Sequence, residues 1–325
     1  MHPAFSVIFL TTLIGTGQGF FLALYTEQVY SAVELLPSQP NSFYTLGSAI
    51  AMVFLIAGLI ASFFHLGHPE RAWRAAARWR TSWLSREVIV LPVLMGAVAS
   101  YGLVHYFDWD LSIIGIKTSV YGDLSLVVGA GGVATAFLLF LCTGMIYACI
   151  RFLQEWATWL TVVNYALFGL ASGFLLATVY AAYQAPALMY FYGAWTIVIT
   201  LAVLATRVVS LIRNHRLKHM STIQTAIGMR HARIVQKSQG FMGGSFNTRD
   251  FFHGAAPRVF RSVKWIFLVL VFPVPIGMLF VGMIDRSATL VAIAFVVQYL
   301  GLLVERWFFF AQANHPQNLY YQTIS

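Results

Sequence analysis

The chain has 325 residues, of which 59% are hydrophobic and 10% charged, with a net charge of +9 and a mean hydropathy of +0.74. A soluble domain carries about 25% charged residues, so this composition excludes one and points to a membrane protein. The surplus positive charge lies in short loops beside apolar stretches, where positive-inside topology explains it better than nucleic-acid binding does.

The apolar stretches predict an all-α fold, a polytopic bundle of eight transmembrane helices. They lie at roughly residues 4–30, 42–65, 86–107, 124–152, 157–183, 187–212, 260–283 and 288–312, each long enough to cross the hydrocarbon layer. Short connections make successive helices antiparallel neighbours in a single integral-membrane unit covering 1–325. The longest connection, residues 213–258, is a basic insertion rather than a domain. The opening MHPAFSVIFLTTLIG lacks the basic flank of a signal peptide and reads as a retained first helix. An even number of spans leaves both termini on the side of the 66–85, 153–156 and 213–259 connections. That side collects sixteen Lys and Arg, whereas the other holds Lys117 and Arg286 beside Glu27, Glu34, Asp108, Asp110, Asp123 and Asp285. Both termini are therefore expected in the cytoplasm, together with the His65–Glu87 loop.

The first span contains Gly15, Gly17 and Gly19 around Gln18. Small residues allow close helix packing, and an amide at that depth could instead touch a ligand. The stretch HLGHPERAWRAAARWRTSWLSRE, His65 to Glu87, follows the second span. It carries Arg71, Arg74, Arg78, Arg80 and Arg86, with Trp73, Trp79 and Trp83, but only two acids. His65 and Glu87 are expected about a turn inside the helices at its two ends. The fourth span holds Gly129, Gly131 and Gly132, read as packing, and both cysteines. Cys142 and Cys149 are about 10 Å apart along a helix, too far for a disulfide, and two thiols do not ligate an iron–sulfur cluster. In the seventh span F-P-V-P-I-G predicts a kink at Pro273 and Pro275. In the eighth, Glu305 and Arg306 are either functional or part of an ion pair, with Arg207 as a possible partner. The 213–258 connection adds Phe241, Phe246, Phe251 and Phe252, which suit a docking surface for a partner or packing on the bundle.

A histidine and a carboxylate at the membrane edge, beneath arginines, suit a proton-coupled site for a quinone. Reduction of a quinone needs donors for two carbonyl oxygens and a titratable route to water. His65 titrates near neutrality, and a partly buried Glu87 would relay protons. Trp83 and neighbouring leucines would supply flat apolar walls. The competing account is structural: His65 capping a helix end and arginines contacting lipid phosphate. No pair of histidines sits at membrane depth for a haem, and no zinc site, phosphate loop or nucleophile triad is present in the sequence.

The pattern H-L-G-x-P-x-R-A (His65, Leu66, Gly67, Pro69, Arg71, Ala72) followed by S-W-L-S-R-E (Ser82 to Glu87) resembles the membrane anchor subunits of dimethyl-sulfoxide-reductase-type complexes. The resemblance implies an eight-helix anchor exchanging electrons between quinone (ubiquinone or menaquinone) and an iron–sulfur subunit, itself wired to a molybdopterin catalytic subunit. Carried over residue by residue, the quinol-site histidine falls on His65, its acidic partner on Glu87 and the motif arginine on Arg71. Gly240–Gly254 and Leu302–Tyr321 are similar to anchors of cytoplasmic sulfite:quinone oxidoreductases. That similarity implies sulfite oxidation, with partners on the cytoplasmic face and neither haem nor iron–sulfur cluster in this chain. The long basic segment before span seven departs from the sulfoxide reductase anchors. A quinol-oxidising anchor of a sulfoxide or polysulfide reductase, a purely structural anchor, and a secondary transporter using Glu305 and Arg306 are the other readings.

Overall fold

The computed structural model describes residues 3–109, 124–218, 220, 222–235 and 257–316. Within them lie ten α-helices: α1 (Phe5–Ala32), α2 (Asn41–Phe63), α3 (Trp83–Phe107), α4 (Leu124–Ala148), α5 (Trp159–Gln184), α6 (Met189–His215), α7 (Ile223–Ile227), α8 (Pro257–Val271), α9 (Pro273–Ile284) and α10 (Ala288–Ala311). No strand occurs among the described residues. A 3-10 helix, Pro69–Arg78, joins α2 to α3. Eight stretches are long and apolar enough to cross a membrane, α8 and α9 together forming the seventh, Arg258–Ile284. The break falls at Phe272, immediately before Pro273 at the first position of α9, where proline has no N–H to give the preceding turn.

Helices α1 and α5 are the most enclosed. α1 packs against α2, α4, α5 and α10, and α5 against α4, α6 and α10. The α1–α5 contact is made glycine to glycine. A Cβ on Gly19 would overlap the Gly169 carbonyl, and one on Gly173 would overlap the backbone of Gly19 and Phe20. Gly15 and Gly19 thus face Gly169 and Gly173 four residues apart on both helices, the spacing that lets two backbones touch. Gly17, also expected to serve packing, abuts α2 at Ala51 and Phe54. Gly129 and Gly132 of α4 admit Tyr25 and Phe21, whereas Gly131 faces open space. Cys142 and Cys149 are free thiols. The phenylalanines at 241, 246, 251 and 252, and the motif Gly240–Gly254, lie outside the described residues.

Candidate functional site

The loop between α2 and α3 is held at its α3 end. Ser82 caps α3, its hydroxyl accepting from the Ser85 N–H at 3.3 Å, which satisfies one of the free donors of the first turn. Arg86 donates to the carbonyls of Trp79 (2.9 Å) and Arg80 (3.0 Å) and lies 4.1 Å over the half-buried Trp83 ring. The 3-10 helix itself buries no residue. Trp73 and Trp79 are exposed, and Arg71, also exposed, is 3.6 Å from Glu70. His65 stands two residues beyond the end of α2 rather than inside it. Its N–H reaches the Ser62 carbonyl at 3.4 Å, and its ring is exposed on one side. Burial on the other side pulls its pKa below the ordinary histidine value, so the imidazole is neutral at pH 7.

Glu87 is in the second turn of α3 and points into the bundle. The Thr143 hydroxyl of α4 donates to its Oε1 at 2.5 Å. Both residues line a cavity of about 10 Å³, the space of a single water. Gln18 of α1, Tyr165 of α5 and Arg306 of α10 complete its polar wall. Gln18 Nε2 is buried without a hydrogen-bond partner, whereas the Tyr165 hydroxyl is paired with Tyr147. Five helices therefore converge on one water-sized space beside a carboxylate, and its amide has unused hydrogen-bonding capacity.

Arg306 is fixed by the cluster behind it. Its guanidinium lies 3.7 Å over the Tyr165 ring. Glu305 makes a 2.7 Å contact with Arg207 of α6 and a 3.7 Å contact with Arg306, all three side chains being at most 4% exposed. Buried charges persist only when paired in this way. Arg207 is thus the partner of Glu305, as its place in the sixth span allowed.

The structure brings Gln18 and Glu87 to one cavity. His65, Arg71 and Trp83 do not line it. Sequence reasoning missed Thr143 and Tyr165, whose signal was only that of single polar atoms inside apolar spans, and did not connect Arg306 to Glu87. At the same end of the bundle a second cavity of about 240 Å³ lies between α6, α8 and α10, lined by Glu155, His215, Lys264 and Asn314.

A model of the DMSO reductase anchor subunit (DmsC) family matches residues 1–314. The chain belongs to the DMSO reductase anchor subunit family. This anchor is also 56% identical, over all 325 of its residues and the whole length of the relative, to a protein from Allochromatium vinosum that is named as a subunit of sulfite dehydrogenase. The family match takes in both helices flanking the Arg/Trp loop, all five helices around Glu87 and the Arg207–Glu305–Arg306 cluster. This member of the family is accordingly a multi-pass membrane anchor subunit, with eight helices long and apolar enough to cross a membrane.

Proposed function

We propose that this anchor is the quinone-binding membrane subunit of a sulfite dehydrogenase, passing electrons from an iron–sulfur subunit to membrane quinone. Sulfite would be oxidised on a separate molybdopterin subunit. The observation that carries the reading is Glu87, held by Thr143 against a water-sized cavity one turn below the Arg/Trp loop. Its context is full-length likeness to a sulfite dehydrogenase subunit. Both termini and that loop would face the cytoplasm of a bacterial inner membrane, and the basic 213–258 segment would dock the iron–sulfur partner.

The donor set fits a quinone, with a division of labour. A cavity of about 10 Å³ has no room for a ring, so Glu87 and Gln18 serve the proton side and the ring belongs nearer the loop. There His65 offers a neutral imidazole, Trp83 an aromatic ring with Arg86 over one face, and Arg71 a guanidinium beside Glu70. The quinone, when bound, supplies the two-electron, two-proton acceptor chemistry. His65 donates one N–H to a carbonyl oxygen and accepts protons on its other nitrogen. Glu87 holds a proton at Oε1 or Oε2, with Thr143 fixing its orientation. The cavity has room for one water between Glu87 and Gln18, and Arg306 lines the same space.

The test is purification of the native complex and an assay of sulfite-dependent quinone reduction. Two heavier, metal-bearing subunits and activity abolished in Glu87→Gln are expected. The chain emerging alone would favour a transporter instead. Quinol-dependent sulfoxide reduction without sulfite oxidation would favour the reverse direction of electron flow, which the family description supports.

A further inference from the structure

A second carboxylate is buried at the end of the bundle opposite Glu87. Helix α3 measures the separation: Glu87 and His105 are eighteen residues apart on it, roughly 27 Å. Near His105 lies Glu27 of α1, counted from the sequence among the acids of the far loops but fully buried, at 0% exposure. The Tyr44 hydroxyl of α2 donates to Glu27 Oε2 at 2.7 Å, and Oε1 has no hydrogen-bond partner. Among the described residues Glu27 enters no ion pair.

The contrast with Glu305 is informative. That carboxylate is as deeply buried and has two guanidinium groups against it. Glu27 has one phenol. Among the described residues the titratable groups around it are Tyr44 from α2, Tyr180 from α5, Tyr192 from α6, and His105 and Tyr101 from α3, with α4 contributing the neutral Ser125. A single neutral donor does not offset the desolvation of a permanent anion in a membrane bundle. The Tyr192 hydroxyl, within electrostatic reach of Glu27, is itself buried without a partner.

A carboxyl group that takes up a proton needs a route to water, and side chains reach from Glu27 to the surface. The exposed Asp108 accepts from Asn41 Nδ2 at 2.7 Å. Asn41 Oδ1 is 3.1 Å from His105 Nδ1. The His105 ring stacks on Tyr44 with centroids 4.4 Å apart, and Tyr44 donates to Glu27. The imidazole is held from its other edge by Gln28, whose Nε2 is 3.5 Å from His105 Nε2. Gln28 is fixed in turn by the Tyr101 hydroxyl, at 2.7 Å from its Oε1, and by a contact to Ser125.

We propose that Glu27 is a proton-binding site that exchanges with the aqueous phase at this end of the bundle, where Tyr44, His105 and the Asn41–Asp108 pair form the polar side chains between it and the surface. One proton from water converts the carboxylate to a carboxylic acid and leaves to water again, with no electron transfer. The site is separate from the quinone chemistry proposed at Glu87.

Infrared difference spectra of the native complex in lipid vesicles, recorded between alkaline and acidic buffer, test it. The carbonyl stretch of a protonated carboxyl should grow on acidification and shift in D₂O. One pH-dependent component of that stretch should be lost in Glu27→Gln, return in Glu27→Asp and persist in Glu87→Gln. In His105→Gln, which keeps a polar side chain but does not titrate, exchange of that component into D₂O should slow. A Glu27→Gln spectrum in which every pH-dependent component of the unsubstituted complex survives overturns the proposal. Loss of a different component in Glu87→Gln would concern Glu87 alone, whose role is read by quinone reduction.

Discussion

Thr143 on α4 donates its hydroxyl to Glu87 Oε1 on α3 across 2.5 Å, joining two neighbouring helices at the mouth of a cavity that five helices share. The bond engages Oε1 and leaves Oε2 outside this contact. Replacing Glu87 by Gln keeps the shape and removes the titratable group, so sulfite-linked quinone reduction should fall about 100-fold or more, the usual contribution of a positioned acid–base group. Thr143→Val should cost far less, about 1 kcal/mol for one hydrogen bond. Steady-state assays on complexes that still assemble would check both, and near-normal activity in Glu87→Gln would remove the proton role.

His65 has its pKa held below the ordinary value by partial burial. A histidine with a depressed folded pKa favours the folded state above its unfolded pKa of about 6.5. That contribution is lost as pH falls through the folded value. Activity needing a neutral imidazole should follow the same course, flat above about pH 6.5 and declining on the acid side. In His65→Asn the acid limb attributable to this residue should vanish from thermal-stability and rate profiles measured in parallel. An unchanged acid limb would assign it to another group.

Arg207 and Glu305 form a 2.7 Å ion pair with almost no exposure. Removing the shared anion leaves two buried guanidinium groups without a counter-ion, so Glu305→Gln should destabilise the bundle by about 3–5 kcal/mol. Arg207→Met alone keeps Glu305 paired with Arg306 and should cost less, and combined with Glu305→Gln it should recover part of the loss, because one buried cation remains in place of two. Detergent-denaturation midpoints of the four proteins in the cycle measure the coupling. Strict additivity would mean that the pair is not energetically linked.

Gly173→Ala should separate α1 from α5, since its Cβ would overlap the backbone of Gly19. Overpacking of this kind costs about 1–3 kcal/mol. Gly131→Ala is the control: nothing lies near its Cβ, and alanine in a helix is better than glycine by about 0.5–1 kcal/mol. Opposite shifts in thermal midpoint are expected. Equal effects would show that backbone contact between the two helices does not limit stability.

The eight spans were legible because crossing hydrocarbon demands about 20 apolar residues, and that demand is local to each segment. The break in the seventh span followed from Pro273 for an equally local reason. The glycines of α1 announced close packing, but their partners Gly169 and Gly173 were identifiable only once α5 was in place. Arg207 could be named as a partner for Glu305 because charged residues inside spans are few. Glu27 was misjudged: a position near a helix end reads as loop-facing, and only the packing of α2, α5 and α6 around it encloses the carboxylate.

The sequence by itself determined the membrane class and the number and order of the spans, and it singled out His65, Glu87 and Gln18 as candidates for the site. Tertiary structure alone decided which of them meet. Gln18 and Glu87 share a cavity, whereas His65 lies outside it, past the end of its helix. The physical reason is that helix formation and bilayer insertion depend on hydropathy along the chain. A polar cavity, by contrast, depends on the rotation and crossing of helices brought together by glycine contacts and buried ion pairs, which no one-dimensional pattern records.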